Sequence, residues 1–430
     1  METYYYKQPR YFEKFKCIGG KCPYSCCDMW RVDWSCAEVE HLKSADMPDE
    51  LRERINKYMI EVEDMKLVNN NGKVGESDTN ANETSSGEQK ELTEEEKAKK
   101  KGYVIKMCDD GRCPFHNRET DLCDIQRTIG EEYLGRTCSR YPRRERCAGS
   151  IIIRSCTSSC PAVLKLIMKD KRACELEILP ARDPNFAGMR IDTSEQWDNQ
   201  PYLLFRPEII DFFNDLFRTG SQNASFEETV LLGALAAKAM SQASRMGHAY
   251  EIPSIADDCK KKLKTKEHIK WARELEANLD VKFQLVNMLI ASFSNGKIDV
   301  TPLYNNDGNT INIENYKKGK EIFENAIPEH DKIFKAIALN IFLDTFVFVP
   351  LQDHNFFEIY AYYTVCLATM QVSAYLAGLK NEDIENEFIL NVAKLSRGMA
   401  HNFVTAKIIV DVMHKAELMY PPQLACIIKS

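Results

Sequence analysis

The sequence predicts a mainly α protein in which a small, irregular, cysteine-rich metal-binding region over 1–160 precedes a helical domain over 161–430. Three observations predict it. Twelve of the sixteen cysteines lie between Cys17 and Cys160, so one region holds most of the thiol chemistry. Within that region, 70–101 carries hardly an apolar side chain and cannot bury enough surface to offset its ordering entropy. It reads as a flexible insertion whose TEEEKAKKK end is a solvated charge run or a short exposed helix. From about 161 onward, apolar residues recur at three-and-four spacing, the period of a helix with one buried face.

The first cysteine group is CIGGKCPYSCC, with Cys17, Cys22, Cys26 and Cys27 among Gly19, Gly20 and Pro23. Such residues force turns, and a turn-rich loop lets thiolates converge on one point while its amides hydrogen-bond to sulfur. Neighbouring side chains diverge in regular backbone, so one of Cys26 and Cys27 is expected to ligate a given metal. The second group supplies Cys108, Cys113, Cys123, Cys138 and Cys147, then Cys156 and Cys160 in CTSSC. These exceed what one tetrahedral zinc or one cubane uses. Paired C-x2-C ribbons are absent, and spacing alone leaves zinc and iron–sulfur open. His116 could ligate but has no second histidine at a matching interval. The basic run at Arg140–Arg144 is either solvated surface or a contact for a ligand carboxylate or an acidic partner. Cys174, Cys259, Cys366 and Cys426 stand apart and read as small buried hydrophobes.

In the second half, Pro207 marks a first helical turn, and Ile209, Ile210, Phe212, Phe213, Leu216 and Phe217 follow as one face, ending before Gly220. Ser225 and Glu228 have capping-box spacing ahead of Val230, Leu231, Leu235, Ala239 and Met240. Further stripes run through 281–291, 331–348, 356–378 and 384–414, with aromatic and Met residues as core packing. No solenoid-length repeat is present.

Composition bounds the class. At 430 residues, with 44% hydrophobic and 28% charged, the chain is long enough for two or three folded domains. Lys and Arg number 57 against 64 Asp and Glu, a net charge of −7, so the basic footprint of a nucleic-acid binder is missing. The opening METYYYKQPRYFEKFKC has no apolar core after a basic stretch. The longest apolar run, 341–351, is broken by Asp344 and falls short of the roughly 20 residues that span a bilayer. A cytoplasmic protein without membrane association is expected, and there clustered cysteines bind metal or do redox chemistry.

Nucleotide loops of the GxGxxG kind, P-loops and HExxH are absent. The C-x3-C-x2-C triplet of radical enzymes that use S-adenosylmethionine fails as well, because Met29 stands where its third cysteine falls.

The segments YFEKFKCIGGKCPYSCCDMWRVDW (11–34) and CPFHNRETDLCDIQRTIGEEYLGRTCSRYPRR (113–144) resemble the flagellin lysine N-methylase family, within a wider group bearing a CxxCxxCC-type zinc- or iron-chelating domain. The helical remainder is similar only through SRGMAHN at 396–402. By that resemblance Cys17, Cys22, Cys26 or Cys27, Cys113, Cys123 and Cys138 match the chelating positions, with Cys36, Cys108, Cys147, Cys156 and Cys160 less firmly placed. The resemblance implies S-adenosyl-L-methionine-dependent N-methylation of lysines on flagellin or another protein substrate. It also favours a [4Fe–4S] cluster over zinc. The residues alone leave open a non-catalytic, metal-bearing adaptor or redox sensor. Tyr133, Tyr141, Trp30 and Trp34 read either as the wall of a dry amine pocket or as a shield for a cluster; no catalytic or donor-binding residue is assigned.

Overall fold

The computed structural model describes residues 4–27, 32–63, 101–148, 150–181, 189–190, 200–218, 223–294, 298–308, 310–346, 354–380, 383–399 and 403–430. The chain divides into two compact units, one of Met1–Lys16 with Pro142–Ser430 and one of Cys17–Tyr141. The first unit opens with strand β1 (Tyr5–Pro9) and is then interrupted by the second.

The cysteine unit contains β2 (Asp33–Trp34), α1 (Cys36–Ser44), α2 (Asp49–Tyr58), β3 (Met59–Val62), β4 (Gly102–Ile105), α3 (Asp124–Ile129) and α4 (Arg136–Arg140). β4 pairs antiparallel with both β2 and β3 in a three-stranded sheet. Ser35 and Glu38 form a reciprocal capping box that starts α1, satisfying amides that a helix start leaves open. Val39, Leu42, Leu51 and Ile55 turn from α1 and α2 onto Trp34, Ile105, Phe115 and Ile125 to form the core of this unit.

On returning, the chain builds β5 (Arg143–Ala148), β6 (Ile151–Cys156), α5 (Pro161–Lys169), β7 (Leu176–Pro180) and β8 (Met189–Arg190). The sheet order is β7-β1-β6-β5-β8, with β1 parallel to β6 and antiparallel to β7. These pairings move the division away from residue 160. The hairpin of β5 and β6 is bonded to β1 and belongs with the helices, so Cys147, Cys156 and Cys160 leave the cysteine unit. The expected insertion at 70–101 lies, apart from Lys101, outside the described residues.

The remaining elements are α6 (Arg206–Phe217), α7 (Phe226–Arg245), α8 (Ile252–Lys262), α9 (Lys266–Glu274), α10 (Leu279–Ser294), α11 (Ile313–Ala326), α12 (His330–Ile341), α13 (Phe356–Lys380), α14 (Ile384–Met399), α15 (Phe403–Lys415) and α16 (Ala425–Ile428). The fold is mainly α, as predicted. Pro207 sits in the first turn of α6, and Ser225 and Glu228 make the capping box of α7. The stripe read through 384–414 is two helices, α14 and α15. α13 is buried from Phe356 to Gly378 except at Glu358, the mark of a central helix with neighbours on most sides; α7, α10, α11 and α14 pack around it. Its crossing with α11 is close. A Cβ at Gly378 would stand 2.3 Å from the Gly319 carbonyl oxygen, and one at Gly319 would stand 2.3 Å from that of Tyr375. No helix among the described residues is long and apolar enough to cross a membrane.

The basic run is used internally at its end. Arg143 lies 4.9 Å from the Phe15 ring centroid and donates to the Phe15 carbonyl, and Arg144 pairs with the buried Asp344 at 3.3 Å.

Candidate metal centre

Local chemistry brings the cysteine loops together. The chain turns at Cys26 and Cys27, with the Cys27 amide donating to the Ser25 hydroxyl at 3.1 Å. The Cys113 amide donates to the Cys27 carbonyl at 2.9 Å, laying the second loop on the first. That loop closes on itself through an antiparallel bridge between His116 and Cys123. Asn117 braces it, its side-chain oxygen accepting from the amides of Glu119 and Thr120 at 3.0 Å.

The third approach is made by α4. Glu38 of α1 accepts from the Arg136 amide at 2.6 Å. Gly135, just before the helix, lies against Trp34, where a Cβ would come within 2.6 Å of the indole. Only glycine lets α4 close to this distance, and α4 carries Cys138.

The result is a cavity of about 110 Å³ lined by the thiols of Cys26, Cys27, Cys113, Cys123 and Cys138, with Val32, Trp34, Ile105, Met107, Phe115, Ile125, Leu134 and Tyr141 making most of the remaining wall. The turn explains why both Cys26 and Cys27 reach it: their side chains do not diverge as they would in a strand or helix. Cys26 and Cys138 keep solvent exposure, whereas Cys27, Cys113 and Cys123 are half-buried.

The electrostatics oppose ionisation in the absence of a cation. Cys27 is pushed up by its hydrogen bond with Cys26, by burial and by the neighbouring thiols of Cys113 and Cys123. Burial raises Cys113 to about 12, with Cys123, Cys108 and Cys26 adding to the rise. Cys138 is raised by the protein packed around it, then by Cys113, Cys123 and Cys26, although part of the residue still meets solvent. Acting the other way, the Phe115 amide donates to the Cys113 sulfur, and the Ile125 and Gln126 amides to that of Cys123. Amide bonds to sulfur stabilise thiolates and tune metal–sulfur clusters.

These residues fit a thiolate-bound metal. Zinc and cubane clusters each take four cysteines, and this wall offers five. The indole nitrogen of Trp34, one of the lining residues, is buried without a hydrogen-bond partner among the described residues. An apolar shell around the sulfurs controls water access. Among the described residues, no three Cys, His, Asp or Glu side chains are already drawn to ion-binding distances; the thiols line the wall instead.

Cys17 and Cys22 are not among the cavity residues. Cys17 is exposed and accepts from the Gly19 amide at 3.4 Å, and the Cys22 thiol donates to the Tyr24 carbonyl at 3.2 Å. Cys36 and Cys108 are also absent from the lining. His116 lies buried 3.4 Å from Asp121 and does not line the cavity. Tyr133 stacks on His41 at 4.8 Å, and Trp30 lies outside the described residues. Cys156, Cys160, Cys174 and Cys366 are buried in the helical unit, while Cys259 and Cys426 are only partly so.

Sequence reasoning missed Arg54 and Asp124. Arg54 donates to Asp124 at 2.8 Å and to the Pro114 carbonyl, and Asp124 also accepts from Asn117 and Arg127. Burial alone would raise the Asp124 carboxyl, but these donors outweigh it and hold it below the ordinary range.

The family match falls on the other half of the chain. Residues 220–427 match the model of the FliB lysine N-methylase C-terminal domain. A 171-residue stretch is 26% identical to a lysine N-methylase of Salmonella typhimurium, covering 39% of this chain and 34% of that protein. It is 25% identical to the flagellar biosynthetic protein FliU of Salmonella muenchen, of which 80% is covered. The chain thus spans about a third of the length of the lysine N-methylase it matches. No solved structure matches.

Proposed function

From the match of residues 220–427 to the FliB lysine N-methylase C-terminal domain, we propose that the chain is a member of that family and a protein-lysine N-methyltransferase. Its methyl donor is S-adenosyl-L-methionine, and its substrate is flagellin or another flagellar protein. The match of the helical half to the methylase domain carries the reading, and the flagellar name of one relative supports the substrate class.

The reaction constrains what this chain must do. The ε-amine lone pair forms the N–C bond while the S–C bond of the sulfonium breaks, its electron pair staying on sulfur, and the amine then releases a proton. Lysine is almost wholly protonated at neutral pH, so the acceptor must be deprotonated and held in line in a site that excludes water.

The thiols of Cys26, Cys27, Cys113, Cys123 and Cys138 would hold a [4Fe–4S] cluster, with zinc as the alternative. The donor set supports either. Such a group would supply folding free energy by cross-linking the segments that carry Cys26 and Cys27, Cys113 and Cys123, and Cys138. The cavity does not require catalysis, so a metal-bearing adaptor accounts for it equally; the methylase match on 220–427 is what favours the enzyme.

The experiment is to incubate anaerobically prepared protein with methyl-labelled S-adenosylmethionine and flagellin from the same cell, then map lysine mass shifts. Label on flagellin lysines is expected. A fully metallated sample that neither transfers methyl nor binds the donor would retire the methylase reading in favour of the adaptor.

A further inference from the structure

The helical unit contains a cleft that the thiol cavity does not explain. It lies between the turn at 200–202, the end of α7 and the start of α13, and encloses about 620 Å³, within the size range of small-molecule sites. We propose that this cleft binds the methyl donor, with Arg245 and Glu358 holding the amino-acid end and Tyr202 and Phe356 the nucleoside. The inference rests on the methylase reading and adds a location to it.

The donor is an unusual ligand because it joins a carboxylate, an ammonium, a ribose diol, an aromatic base and a sulfonium charge in one molecule. The cleft presents a complement to each. Arg245 lines it with an exposed guanidinium, and Ser244 immediately precedes it on the same helix; both can donate to a carboxylate. Arg245 has no ion pair with any described residue.

Across the cleft, Glu358 offers a carboxylate for an ammonium or for ribose hydroxyls. It is held in place: one oxygen accepts from the Asn355 amide at 2.9 Å, and the other lies 3.0 Å from His414. Asn355 is fixed in turn by the Ser241 hydroxyl at 2.8 Å, which ties the two walls together. A positioned carboxylate facing a free guanidinium suits a zwitterion better than a simple anion, which Glu358 would repel.

The aromatic wall is Tyr202 against Phe356, ring centroids 5.2 Å apart. Such faces accept a base by stacking and attract a sulfonium through the ring quadrupole. The Tyr202 hydroxyl is buried with no hydrogen-bond partner among the described residues, on a residue only 5% exposed. A buried hydroxyl is ordinarily satisfied, and on a residue of the cleft wall a ligand that displaces its cover would supply the missing partner.

The test measures calorimetric binding of two probes to the full chain. S-Adenosyl-L-homocysteine keeps the amino-acid end; 5′-methylthioadenosine lacks it. Arg245→Ala is expected to weaken the first about tenfold and leave the second unchanged, and Tyr202→Phe to weaken both. Arg245 is exposed, so its removal does not threaten folding, and loss of an unpartnered hydroxyl is neutral or stabilising in the free protein. A fall in affinity in the Tyr202 variant therefore reports contact with the ligand. Unchanged affinities in both variants, in a protein that binds the donor and transfers methyl, overturn this location and leave the methylase reading standing. Failure of the unaltered protein both to bind and to transfer overturns the two together.

Discussion

Arg54 on α2 donates from one terminal nitrogen to Asp124, at 2.8 Å, and from the other to the Pro114 carbonyl. Pro114 follows Cys113 and Asp124 follows Cys123, so one guanidinium ties together the residues next to two cavity thiols. Its plane also lies 5.8 Å from the Phe115 ring centroid. The Asp124 side chain is 12% exposed, so this is a desolvated, charge-assisted contact and not a surface pair of small worth.

Arg54→Ala is therefore expected to destabilise the Cys17–Tyr141 unit by about 1–3 kcal/mol, the cost of leaving a buried charged acceptor short of a partner. Arg54→Lys restores the charge but cannot reach both acceptors in a planar fork, and should recover less than half. Urea unfolding followed by Trp fluorescence reads both; a midpoint unchanged in the alanine variant would show that the guanidinium does not brace the loops.

Metal content separates the thiols that line the cavity from those that do not. Cys113→Ser, Cys123→Ser and Cys138→Ser should each lose most of the iron and sulfide, or zinc, of anaerobically purified protein and lower its melting temperature. Cys17→Ser and Cys22→Ser should retain both. Since Cys26 and Cys27 line the wall together, either single change should leave partial loading and the double change none. Metal lost on Cys17→Ser alone, with Cys138→Ser fully loaded, would move the site out of this cavity.

The helices were legible in the sequence because their signals are local. Pro207, the pair Ser225 and Glu228, and the stripes of α10, α12 and α13 each lie within a few turns of chain. The five-stranded sheet was not, since YYKQP and RRERCA show no clean alternation, and YYKQP pairs with residues well over a hundred positions away. The candidate centre was half legible. The family resemblance gathers Cys26, Cys27, Cys113, Cys123 and Cys138, but it also gathers Cys17 and Cys22, because a match of cysteine positions carries no information about which way a turn faces. Trp34 and Arg54 act by burial and by a contact across 70 residues of chain, which no short pattern records. The family signal was read from the conspicuous cysteine segments, yet the matched domain is 220–427, where similarity is spread over helices too ordinary to notice singly.

Gly378→Ala tests the close crossing of α11 and α13. Helix propensity alone favours alanine by about 1 kcal/mol. Opposing it, the new methyl would lie 2.3 Å from the Gly319 carbonyl oxygen, and a backbone atom in a packed crossing cannot swing aside as a side chain can. Overpacking of this kind costs about 1–3 kcal/mol, so the net effect should be destabilising despite the better helix former. A raised melting temperature in this variant would mean that the helices separate freely at this point.

Lys282 supplies a pH prediction for the helical unit. It is fully buried, and its amine donates at 3.2 Å to Gln371 and to the carbonyls of Ile428 and Lys429. Burial, opposed by Glu227 and reinforced by Lys320, brings it from an ordinary 10.5 down to about 7. Between those values the unfolded chain holds a proton that the folded protein has released, so stability rises with pH across that window, at most by about 1.4 kcal/mol per unit. Below the folded value both states are protonated and the penalty stays constant. Lys282→Met removes this slope and leaves three acceptors without their donor, costing about 1–3 kcal/mol where the lysine is neutral. The variant should therefore fall furthest behind at pH 9 and least at pH 6. Urea midpoints at pH 6, 7, 8 and 9 for both proteins isolate this residue from the other groups that titrate there, because those groups are common to the pair. Parallel curves would show that the buried amine keeps its proton throughout.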